Sequence, residues 1–274
     1  MSGFSGHLSL RAAIREHGRT VLAAQSFRAP FHISKPYWDA DACALLVQVV
    51  NPTAGILAGD RLESAIAVDD GAALLVTTPS ATRLFRMRDG AAECRQHFSV
   101  SNGAWLEVMP EPLVPHRGSR YRQTTTIDVE TGGALFFVDQ LMAGRAGHGE
   151  LWQWERLQLE LTVNVGGALV LRERLDQGGP ELGALANFAG SGATACFASA
   201  VIISPQANED AAWLTAVRQL HGDGIWVGVS ALRQGGWTMK LIAPDALRLR
   251  VALREVRKIL SAHLPRLGCN PRKL

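Results

Sequence analysis

The sequence predicts a mainly β fold: a stacked or helical β-structure, solenoid- or sandwich-like, followed by a small C-terminal α-β-β-α module. Three observations carry that expectation. A unit made of an alternating strand, a Gly-Ala turn and a strongly apolar strand occurs four times. Its turns return roughly every 30 residues, the spacing of stacked supersecondary units. Beyond residue 203 the apolar periodicity changes from that of strands to that of helices.

The first elements read as two strands. His7-Leu8-Ser9-Leu10-Arg11 and Thr20 to Phe27 alternate, with Gly18 as the turn between them. Pro30, Pro36 and the pair Tyr37-Trp38 mark an irregular connection. An apolar strand, Ala44 to Val50, then runs into Asn51-Pro52-Thr53-Ala54-Gly55-Ile56-Leu57-Ala58-Gly59-Asp60. Asn-Pro favours a turn, and the two glycines permit backbone angles or close approaches that a Cβ forbids. Leu62 to Val68 resumes the alternation.

The repeated units come next. Ser64 to Val68 leads through Gly71-Ala72 to Ala73–Thr78, and Gln96 to Val100 leads through Gly103-Ala104 to Trp105–Val108. Thr124 to Val129 leads through Gly132-Gly133-Ala134 to Leu135–Val138, and Leu157 to Val163 leads through Gly166-Gly167-Ala168 to Leu169–Leu171. An alternating strand has one wet and one buried face, whereas a continuously apolar strand is covered on both. A lone hairpin is marginal in water, so the units must stack. Residues 1–203 therefore form the β body. In residues 204–264, Asp210 to Leu220 has helical spacing, and Ile225–Leu232 with Trp237–Ile242 form a hairpin around Gln234-Gly235-Gly236. Asp245 to His263 is a long helix with Leu247, Val251, Leu253, Val256 and Leu260 as its apolar positions. The basic stretch 265–274 reads as a mobile tail.

At 274 residues, with 47% apolar and 19% charged content, the chain has the composition of a globular protein with a large core. A net charge of +3 without a basic cluster outside the tail gives nucleic-acid binding little support. No window has membrane-spanning length, so neither a membrane nor a nucleic acid is expected as partner. Four widely spaced cysteines and no long apolar stretch at the N-terminus make a reducing, cytoplasmic setting the expectation.

Chemistry-bearing residues are few. The 51–60 loop lacks the GxxxxGK[ST] spacing and a lysine, ends in an acid, and precedes a strand, so it is no phosphate loop. Acids recur at strand ends: Asp60, Asp139 and Glu173. Partly buried carboxylates need partners or solvent; ion pairing of Glu173 with a flanking arginine, or backbone capping by Asp60, would satisfy them equally well. Thr77 to Arg86 is hydroxyl-rich and then basic, and contains Thr82 and Arg83. Gly144 to Glu150 is a glycine-spaced loop with Arg145, His148 and Glu150. With no HxH, HxxxH or CxxC, a dedicated metal cage is not supported. No GxSxG is present.

Taken in order, these stretches resemble the urease accessory proteins of the D type. Residues 51–60 resemble that family's N/H-P-x-G-G-x-x-x-G-D signature, and Thr77–Arg86 its T-T-x-x-A-x-K-x-Y-R stretch. Trp105–Glu111, Asp139–Arg145 with Gly149-Glu150, and Glu173-Arg174-Leu175 continue the match over nearly the whole chain. Ala54, Arg83 and Phe85 depart from the family's glycine, lysine and tyrosine.

The resemblance implies a non-enzymatic scaffold that binds apo-urease and helps deliver nickel, with no stably bound cofactor and nickel as transient cargo. The implied partners are the urease apoprotein, an all-helical accessory protein of the F type and, through it, a GTPase metallochaperone of the G type. An internal polar tunnel is implied, with Asp60, Asp139 and Glu173 on the nickel route and Thr82, Arg83, Arg145 and Glu150 associated with it. The alternative is a β-solenoid hydrolase that uses the same carboxylates as acid and base. Two carboxyls roughly 5–10 Å apart in an open cleft would favour it.

Overall fold

A computed structural model describes residues 3–204, 212–233 and 235–271. Strands β1 (Ser5–Ile14) and β2 (Thr20–Arg28) form an antiparallel pair, followed by the short β3 (His32–Ile33) and β4 (Tyr37–Asp39). From β5 (Ala44–Val50) the chain crosses back and forth between two sheets. β6 (Arg61–Val68) lies in the first sheet, β7 (Ala73–Thr77) in the second, and β8 (Thr82–Leu84) on the rim. β9 (Ala92–Val100) returns to the first, β10 (Trp105–Met109) to the second, and β11 (Leu113–Pro115) pairs with β8. β12 (Arg120–Val129) and β13 (Ala134–Met142) repeat the crossing. The ribbon of β14 (Gly144–Arg145) and β15 (Glu150–Leu151) then leads to β16 (Arg156–Val165) and β17 (Ala168–Gln177).

Each coil thus gives one strand to each sheet, and like strands stack in parallel. Ser64 lies opposite Gln96 and Gln96 opposite Thr125 in the first sheet, while Leu75 lies opposite Glu107 and Glu107 opposite Phe136 in the second. The Gly-Ala turns are arches between sheets in the first three units, so the hairpin picture of those units is corrected. Alternation specifies which face a residue takes and leaves the pairing partner open. Only the fourth unit is a hairpin: β16 and β17 pair antiparallel within the first sheet. Its second strand is the sheet edge, and Leu169 is exposed rather than covered on both sides.

The second sheet continues past β13 into antiparallel β18 (Cys196–Ile203), β20 (Trp237–Ala243) and β19 (Trp226–Ala231). The C-terminal hairpin therefore hydrogen-bonds to the body as part of its sheet. Before β18 runs helix α1 (Gly179–Phe188), which periodicity did not indicate; Pro180 in its first turn is the one local signal. Helices α2 (Ala212–Arg218) and α3 (Ala246–Ser261) lie on the outer face of the second sheet. Residues 210 and 211 of the expected first helix, and Gln234 of the hairpin turn, lie outside the described residues. Asp245 caps α3 by accepting the Arg248 N–H at 2.8 Å.

Burial explains the composition of the two strand types. The second sheet is sandwiched between the first sheet and the helices, so β7 is buried along its length. β6, β9 and β12 have a solvent face and alternate. On α3 the buried positions are Leu249, Ala252, Leu253, Val256 and Leu260, whereas Leu247 and Val251 are exposed, which corrects two of the expected contacts. Arg257 reaches the fully buried Glu107 of β10 through Nε at 2.8 Å and Nη2 at 3.1 Å, and also donates to the Cys269 carbonyl at 2.7 Å. Pro265–Gly268 form a 3-10 turn, and Leu267 and Cys269 are buried; residues 272–274 of the tail lie outside the described residues.

Candidate functional site

The space between the sheets is divided. At the end near the arches it is apolar: Ile66, Phe98, Ile127 and Val163 of the first sheet pack with Leu74, Leu106, Leu135 and Ile203 of the second. Toward the other end of the same strands the inward positions become polar. Ser64, Gln96 and Thr125 form one row, and Cys94 and Gln123 the next. Thr125 donates to Gln96 at 2.9 Å, and Tyr121 donates to Gln123 at 3.1 Å.

Here lies a cavity of about 140 Å³ with mixed walls: Ser64, Thr82, Cys94, Gln96, Tyr121, Gln123 and Asp139 beside the apolar Leu8, Ile66, Val76, Phe98, Val108 and Phe137. A second, larger cavity of about 830 Å³ lies between the strand ends of the second sheet and α3, lined on the helix side by Arg250, Arg254, Arg257 and Asn270. The two have Thr77, Thr78, Pro110, Glu111 and Gln140 in common as wall residues. On that shared wall Glu111 accepts from Arg250 at 3.1 Å.

Asp139 sits on the inward face of β13. Its accessible surface faces the inner cavity, and Gln123 Nε2 is 3.5 Å from its Oδ2. Burial pushes the carboxyl up to about 6; the Gln123 hydrogen bond and the Lys240 charge oppose this, and Glu173 adds to it. From Asp139 the strand register runs to Ser199 and then Lys240. Glu173, from the edge strand of the first sheet, crosses to these residues. Ser199 donates to its Oε2 at 3.1 Å, Thr238 to its Oε1 at 3.2 Å, and Lys240 Nζ bonds its Oε2.

The other expected residues are distributed differently. Asp60 is buried, but its Oδ1 accepts the Phe4 N–H at 2.9 Å and its Oδ2 the Leu57 N–H at 2.8 Å. It ties the 51–60 loop to the N-terminal strand, and it is not among the residues lining the inner cavity. That loop packs on β8: Ile56 N–H donates to the Arg83 carbonyl at 2.8 Å, and a Cβ on Gly55 would stand 2.5 Å from the same oxygen. The Arg83 side chain is exposed on this rim. Arg145 and Glu150 pair with each other across the small ribbon at 2.8 Å. Gln96, Gln123, Thr125, Ser199, Thr238 and Lys240 were not singled out from the sequence. Inward parity of polar residues on alternating strands marks Gln96, Gln123 and Thr125; Lys240 is half exposed and carries no such signal.

Among the described residues, no three His, Cys, Asp or Glu side chains converge to hold a metal ion. Burial pushes the Cys94 thiol up to about 11, with the Tyr121 hydrogen bond opposing it, so the cavity presents neutral thiol and oxygen donors at neutral pH. The hydrolase alternative asks for free carboxyls in an open cleft, whereas Asp60 and Glu173 are both held by donors.

The sequence profile of the UreD urease accessory protein family matches residues 5–273. The chain belongs to this family. It is 64% identical over 271 residues to a urease accessory protein UreD of Opitutus terrae, covering 99% of each chain. It is also 41% identical over 148 residues to the UreD proteins of Yersinia enterocolitica and Yersinia pseudotuberculosis, a match spanning 53% of this chain and about half of theirs. For a UreD family member the stacked two-sheet body is therefore the frame in which the polar layer has to be understood. No helix among the described residues is long and apolar enough to cross a membrane.

Proposed function

We propose that this UreD family chain is a non-catalytic cytoplasmic scaffold. It binds apo-urease together with the all-helical F-type accessory protein and, through it, the G-type GTPase, and it passes nickel to the urease active site through its polar inter-sheet layer. The observation that carries the proposal is the pair of adjoining cavities, with Glu111 on their common wall and Asp139 inside; Glu173 lines neither cavity and lies on the edge strand of the first sheet, bonded to Thr238. Carboxylate, amide and hydroxyl oxygens at separated positions suit a conduit. A closed set of thiolate and imidazole ligands would hold the ion in place. Asp60 enters this proposal as the anchor of the loop; Asp139 and Glu173 carry the route.

The test is co-expression with urease and the F- and G-type partners. Asp139→Asn and Glu173→Gln are expected to leave the co-purified complex intact and to lower the nickel content of urease several-fold. Full nickel content with both variants would refute the route.

A further inference from the structure

The proposed conduit has no need of one group beside its carboxylates, the Lys240 ammonium. Lys240 stands where the polar layer meets solvent. Its strand, β20, meets β17, the edge strand of the first sheet, through Thr238 and Lys240 on Glu173. Its side chain is 52% exposed, yet its ammonium is turned onto Glu173 Oε2 and also donates to Ser199 Oγ at 2.6 Å. Glu173 thereby accepts from two hydroxyls and one ammonium.

We infer that Lys240 is a tethered stand-in for the cargo: its ammonium holds the cation position at Glu173 in the empty protein, and a divalent ion takes that position only by displacing it. The inference rests on the conduit reading and deepens it. Two physical points support it. A lysine is a compact point charge on a flexible stem, so it can swing into solvent without breaking a planar, two-pronged contact as an arginine would. Ser199 and Thr238 hydroxyls donate to the carboxylate now, and the same oxygens can accept a metal ion once the ammonium leaves.

Charge then sets selectivity. A divalent ion at the same distance has twice the Coulomb attraction of an ammonium, whereas a monovalent ion has no advantage over one already tethered in place. The displaced lysine remains close and competes for the carboxylate, so the ion is bound weakly enough to move on. A plain inter-sheet salt bridge would have the same geometry, but an exposed pair of that kind adds little to stability and nothing to selectivity.

The experiment measures nickel binding to the full-length protein by competition with a chromophoric chelator, using nickel chloride as probe. Lys240→Met, and Lys240→Gln as its polar counterpart, are each expected to bind nickel about tenfold more tightly than the parent, because a competing unit charge has been removed. Adding Glu173→Gln to Lys240→Met should abolish the gain. Unchanged nickel affinity in both single substitutions would overturn the inference, as would a gain that survives Glu173→Gln. Failure of the conduit reading shows up elsewhere, as normal nickel content in urease matured with Asp139→Asn and Glu173→Gln. If those two variants lower urease nickel while Lys240→Met leaves affinity unchanged, the conduit stands and the lysine's role falls.

Discussion

Strand β12 runs through two different interiors. At one end Ile127 and Val129 face apolar partners from both sheets and are almost completely buried. Four residues earlier, on the same face, Gln123 and Tyr121 line a cavity and hydrogen-bond to each other. The backbone geometry is the same in both halves, and so is the coil spacing. The difference lies in side chains alone: branched aliphatic rows interlock and exclude water, whereas amide and hydroxyl rows leave space and satisfy one another. One half therefore holds the coils together, and the other borders a cavity.

The contrast can be broken first in the apolar half. Ile127→Ala should cost about 2–5 kcal/mol, since close-packed neighbours cannot collapse into the vacated volume. Denaturant unfolding would show it as a lower midpoint with an unchanged slope; a loss under 1 kcal/mol would mean that this half is not the packed one.

The next effect has the opposite sign. Asp139 holds its proton more tightly when folded, up to about 6 against an ordinary 3.8. The unfolded chain releases that proton first, so stability should fall as pH rises from about 4 through about 6. Asp139→Asn removes the penalty. At pH 7 it should raise stability by roughly 2–3 kcal/mol, at about 1.4 kcal/mol per pH unit, and below pH 4 it should have no such effect. Unfolding curves at the two pH values check both statements. A stabilising acid-to-amide change at an inward position would itself mark a residue kept for a purpose other than folding.

Smallest is the effect of Thr125→Val. It removes one hydroxyl between Gln96 and Gln123, both of which face the cavity, and should change stability by less than about 1 kcal/mol. A loss above 2 kcal/mol would show that the polar rows also hold the fold.

Much of the architecture was legible because the turns and the alternation are chemically explicit. Gly71 and Gly103 adopt left-handed backbone at the arches, and the contrast between β6 and β7 reports which sheet has a wet face. Pairing was not legible. Gly166-Gly167 look like the other turns, but they make a hairpin because β17 joins the sheet that β16 already occupies. The acids stood out at strand ends, yet whether an acid faces a cavity or binds backbone depends on distant chain. Asp60 is taken by Phe4, more than fifty residues away in sequence. Glu173 is met by Lys240, which an ordinary alternating strand disguises as a surface residue.

Under the proposed function, nickel transfer resides in the polar half and folding in the apolar half. Two conservative substitutions on the same face of β12 test it directly: Gln123→Leu at the cavity and Ile127→Val in the packed rows. Both variants would be co-expressed with urease and the accessory partners, and nickel per urease active site measured. Gln123→Leu is expected to lower it several-fold, with Ile127→Val indistinguishable from the parent. Equal nickel contents for the two variants would contradict the claim.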